Sequence, residues 1–149
     1  MTLTALSTKI ETIVAGITGA VFMRATDNDA NISIDNVDLE GKTVCIFNNL
    51  PLVSNQVSKS GHIVEEWPVE IRVLQLSNLD DTTAQGDAIR DACAIAANTI
   101  WDKISFDQSL PDAFEYELNY LNEVKVYDKT LTGVRLAFVF NSFRGTYYC

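Results

Sequence analysis

Trp67-Pro-Val-Glu-Ile-Arg-Val-Leu-Gln-Leu76, a short acidic turn, and then Thr82 to Ile104 form the stretch that decides the fold. The first part alternates Val69, Ile71 and Val73 with Glu70, Arg72 and Leu74, the period of a strand with one face toward a core. In the second part Ile89, Ala92, Cys93, Ala96, Ile100 and Ile104 recur at spacings of three and four, which places them on one side of a helix. Thr82 and Gln85 stand three apart, the spacing at which a hydroxyl and an amide cap a helix start reciprocally, and Asp80 and Asp81 suit the positive end of its dipole. Pro68 offers no backbone donor, so a break in the strand is expected near Trp67.

Upstream, Leu3, Leu6, Ile10, Ile13, Val14 and Ile17 share a helical face, with Thr2 or Thr4 as caps and Gly19 as the left-handed stop. Its polar side carries only Lys9 and Glu11, so it reads as a helix docked on protein rather than on a membrane surface. Short strands are expected at Val21 to Ala25, Asn31 to Ile34 and Lys42 to Phe47. Residues 48–61, with Pro51, read as a long excursion. Downstream of Pro111, Phe114, Tyr116, Leu118 and Tyr120 alternate with polar residues, as do Val134, Leu136, Phe138 and Phe140 with Arg135, Ala137, Val139 and Asn141. These runs predict a long hairpin that projects past the core, with its turn between Tyr127 and Gly133 and with Asp128 and Gly133 as turn residues.

The order predicts an α+β fold: a mainly antiparallel sheet with two helices packed on one face and a long C-terminal β-hairpin. The Trp67 and Phe114 strands flank a helix, an order that also allows one parallel pairing between them through a right-handed crossover. A chain of 149 residues fits one domain, with 48–61 as an extended loop, 114–143 as the hairpin and 144–149 as a tail.

The chain carries 20 acidic and 11 basic residues, a net charge of −9, which disfavours neutralising the phosphates of nucleic acid. No run approaches the roughly 20 apolar residues of a membrane span, and no basic region precedes an apolar run at the start. Cys45, Cys93 and Cys149 lack the short paired spacings of zinc or redox motifs and read as buried free thiols in a reducing compartment.

Chemical constellations are sparse. Asp27 to Asp38 places oxygen ligands at calcium-loop spacing, but Ile32 stands where the sharp turn needs glycine and Asp38 where a bidentate glutamate belongs. His62, the one histidine, lies near Glu65 and Glu66 without a second histidine to complete a ligand set. Glu115 and Glu117 share a strand face, a spacing open to paired-carboxylate chemistry but equally to a solvated face. Phosphate loops, serine elbows and Cys–His pairs are missing. The expectation is a non-enzymatic protein without cofactor or metal.

Three features together, the Leu3 to Ile17 helix, the Pro68-Val-Glu-Ile-Arg-Val-Leu strand running into the Asp80-Asp81-Thr-Thr helix, and the Phe114 to Phe143 hairpin, resemble the head-to-tail joining proteins of tailed bacteriophages. The resemblance is in particular to tail terminators and connector ring subunits. The resemblance implies a virion protein, assembled in the host cytoplasm, that forms a homo-oligomeric ring between portal or connector and tail. DNA would pass non-specifically through its lumen, and no membrane is involved. Contacts with neighbours are expected at Asn48, Pro51, Val53, Gln56, Tyr127, Leu131, Phe143, Arg144, Tyr147 and Tyr148. Tyr and Arg are favoured interface anchors. The competing expectation is a monomeric cytosolic binding module, or a small enzyme whose site depends on a partner.

Overall fold

A computed structural model describes residues 3–25, 38–48, 54–57, 62–78, 80–110, 112–126 and 129–146. Helix α1 (Leu3–Ala15) is followed by strands β1 (Ala20–Ala25), β2 (Thr43–Asn48), β3 (Ser54–Val57) and β4 (His62–Leu76), helix α2 (Thr83–Ser105), and strands β5 (Ala113–Val126) and β6 (Lys129–Thr146). Along the sheet the strands run β1-β2-β4-β6-β5, with β3 also paired to β4. All pairings are antiparallel except β1 with β2. This is the expected α+β class, but the parallel pair is a different one. The strands containing Trp67 and Phe114 are separated by β6, because β5 and β6 are joined tightly enough to pair with each other first.

The two helices cover one face of the sheet. Leu6, Ile10, Ile13 and Val14 of α1 meet Cys93, Ala96, Ala97, Ile100 and Ile104 of α2 over Val69, Ile71 and Val73 of β4 and Val134, Leu136, Phe138 and Phe140 of β6. The α2 stripe is as its spacing predicts except at Ala92, which is exposed, while Ala94 and Ala97 are buried in its stead. A strict three-four count drifts from a 3.6-residue turn, so the buried stripe winds slowly around the helix. Thr82 and Gln85 make the expected capping box: the Gln85 amide donates to Thr82 Oγ1 at 3.3 Å and the Thr82 amide to Gln85 Oε1 at 2.8 Å. Lys9 ties α1 to the turn after α2 through Asp107, at 2.8 Å. Gly19 takes φ +74, so the expected left-handed glycine does follow α1.

The opposite face carries a smaller apolar cluster of Met23, Leu39, Val44, Ile46, Leu74 and Leu131. Strand β2 is therefore buried on both sides, Cys45 and Phe47 under the helices and Val44 and Ile46 away from them.

The strand expected to break near Trp67 does not. All fifteen residues of β4 have partners in β6, and the one register shift lies between Ile63 and Val64. Pro68 acts on the other edge of β4. There β2 ends with Asn48 opposite Glu70 and β3 begins with Ser54 opposite Glu66, so the two strands leave a gap at the residue that has no amide hydrogen. The 48–61 excursion thus contains a strand. Strands β3, β4 and β6 run on together as a three-stranded arm, built from residues 54–57, 62–66 and 141–146.

The hairpin forms, with Val126 opposite Lys129. Gly133, assigned to the turn, instead lies within β6 opposite Leu74 and Leu121. A methyl group there would overlap the Val73 carbonyl oxygen and stand 2.9 Å from the Leu74 Cα. The glycine is a close-approach residue in the middle of the sheet. The Asn31 to Ile34 strand, the Thr2 cap and Asp128 lie outside the described residues. Gly133→Ala is expected to destabilise the fold by about 1–3 kcal/mol, the scale of overpacking, measured as a lowered denaturant midpoint at unchanged slope.

Candidate interaction surfaces

On the sheet face away from the helices, Glu70 is 7% exposed yet charged. Arg135 Nε donates to its Oε2 at 2.7 Å, and Arg72 Nε and Asn48 Nδ2 donate to its Oε1 at 3.1 and 2.8 Å. The carboxylate thus joins β2, β4 and β6. Burial alone would push its pKa up, but the hydrogen bonds and charges of Arg135 and Arg72 outweigh that and hold it below the ordinary value. Asn48, expected at an interface, has its amide turned into this network.

The helix side carries a second arrangement. Phe140 and Phe138 meet edge to face at 5.2 Å, Phe138 meets Trp101 of α2 at 5.3 Å, and Trp101 meets Tyr116 of β5 at 4.9 Å. This relay of rings leads from core to surface and pins α2 to the β5 edge of the sheet. Tyr116 Oη donates to Asn98 Oδ1 at 2.6 Å. Its pKa is raised, first by burial and then by Asp102 and Tyr120 beside it. A register shift between Phe114 and Glu117, with Glu115 at φ +57, turns Tyr116 toward the helix. The simple alternation that put Glu115 and Glu117 on one strand face is broken by this bulge.

Beyond Tyr116 the surface is unusually apolar. Ile95 is 69% exposed, Phe106 84%, Tyr120 56% and Tyr116 38%. Asp91, Ile95, Asn98 and Asp102 follow one another at helical spacing along the outer side of α2. Asp87, Arg90, Asp91 and Tyr120 line an open cleft of about 410 Å³ where the helix meets β5. Arg90 is committed to Asp87. Two other polar clefts lie at the ends of α2, about 230 Å³ beside Ser77, Thr82 and Arg90 and about 470 Å³ beside Phe106, Leu110 and Asp112.

The residues expected to contact neighbours are scattered by the fold. Gln56 and Phe143 come together on the arm, both opposite Val64, and Arg144 falls at the register shift next to them. Leu131 is fully buried in the smaller cluster and is no surface anchor. Pro51, Val53, Tyr127, Tyr147 and Tyr148 lie outside the described residues, as does the Asp27 to Val37 part of the calcium-like loop. At its end Asp38 Oδ1 accepts from the Glu40 amide at 3.2 Å. Glu65 Oε2 accepts from Trp67 Nε1 at 3.3 Å. Among the described residues no three His, Cys, Asp or Glu side chains come together as a metal site, and no helix is long and apolar enough to cross a membrane. The α2–β5 surface was missed by periodicity because alternation assigns Tyr116 and Tyr120 to the core. Its signal was Ile95, an aliphatic residue off the apolar stripe.

Cys45 and Cys93 are buried and unpaired, and burial pushes both thiols up to about 12. No protein-family model and no curated protein matches the chain.

Two measurements bear on these groups. Because the folded pKa of Glu70 lies below its unfolded value, its contribution is fully present above the unfolded value of about 4.3 and is lost as pH falls through the lower folded one. Glu70→Gln is therefore expected to lower stability by about 1–3 kcal/mol at pH 7 and to flatten the acid limb of a stability–pH profile. Cys45 and Cys93 are expected to resist iodoacetamide in native protein at pH 8 and to react once urea unfolds it, as read by mass spectrometry.

Proposed function

We propose that the chain is a structural virion protein of a tailed bacteriophage, a ring subunit at the head–tail junction or tail. Copies of the chain associate with one another and with neighbouring portal, connector or tail proteins, and DNA passes through the ring without sequence-specific contact. The observation that carries this reading is the arm. Strands β3, β4 and β6 continue together as a paired three-stranded ribbon at one end of the sheet. A paired ribbon that continues from the end of the sheet is the shape of an element that reaches a neighbour.

The charge supports the same reading. A net charge of −9 gives a passing polyanion a wall that repels rather than grips it. Assembly takes place in the host cytoplasm, and the mature protein resides in the virion.

The test is the oligomeric state of the purified chain by native mass spectrometry and light scattering, together with peptide mapping of purified particles. A closed oligomer of one stoichiometry and peptides of this chain in virions are expected. A monomer at all concentrations, absent from particles, overturns the reading.

A further inference from the structure

We draw no further inference here: the strongest candidate, the exposed apolar surface that Ile95, Phe106, Tyr116 and Tyr120 form along α2, the turn after it and β5, carries nothing because nothing in the structure shows what covers it.

Discussion

The pairing of β4 with β6 is the constraint on which the rest of the molecule depends. Fifteen consecutive residues of one strand lie against the other, and every other element takes its place from that pair. The rows Val69–Phe138, Ile71–Leu136 and Val73–Val134 make the floor on which both helices sit. The rows between them carry Glu70, Arg72 and Arg135 to the far side. Period-two alternation thus sorts an apolar floor from a charged surface with no further instruction. At Gly133 the pair approaches so closely that even a methyl group is excluded, which fixes the register.

Local rules that depend on one element were legible in the sequence, and rules that depend on two were not. The capping box at Thr82, the buried stripe of α2, the left-handed Gly19 beyond α1 and the hairpin itself follow from spacing and residue type, whereas α1 stops at Ala15, four residues before that glycine. The roles of Gly133 and Pro68 did not, because both residues have several local meanings. Glycine within ten residues of Asp128 reads as a turn residue until the backbone of β4 is known to pass beside it. Proline reads as a strand break until β6, on the opposite edge, is found to pair throughout. The bulge at Glu115 likewise reverses the facing of the residues around it, and no composition signal marks it.

The candidate surfaces show the same division. Gln56, Phe143 and Arg144, from segments far apart in sequence, fall at adjacent register positions of the arm, whereas Leu131 is core. The exposed aromatic surface was concealed by its own alternation. A tyrosine on the core-facing side of an edge strand sits at the boundary of the helix layer, where the same period leads either inward or out to solvent. Among the charges, Glu70 shows why net charge alone says little about local potential, since the most buried described carboxylate is held ionised by two arginines in a chain rich in acid.

At the level of Pro68 the sheet changes partners on both sides at once. Strand β2 has ended and β3 has not begun, while β5 begins with Ala113 opposite Phe140. Among the described residues, only β4 and β6 cross this level unbroken. Mechanically that is the neck of the molecule. A load applied to the arm is transmitted through these two antiparallel strands, and the sheet bends there by changing its twist rather than by opening the packed layer beneath the helices.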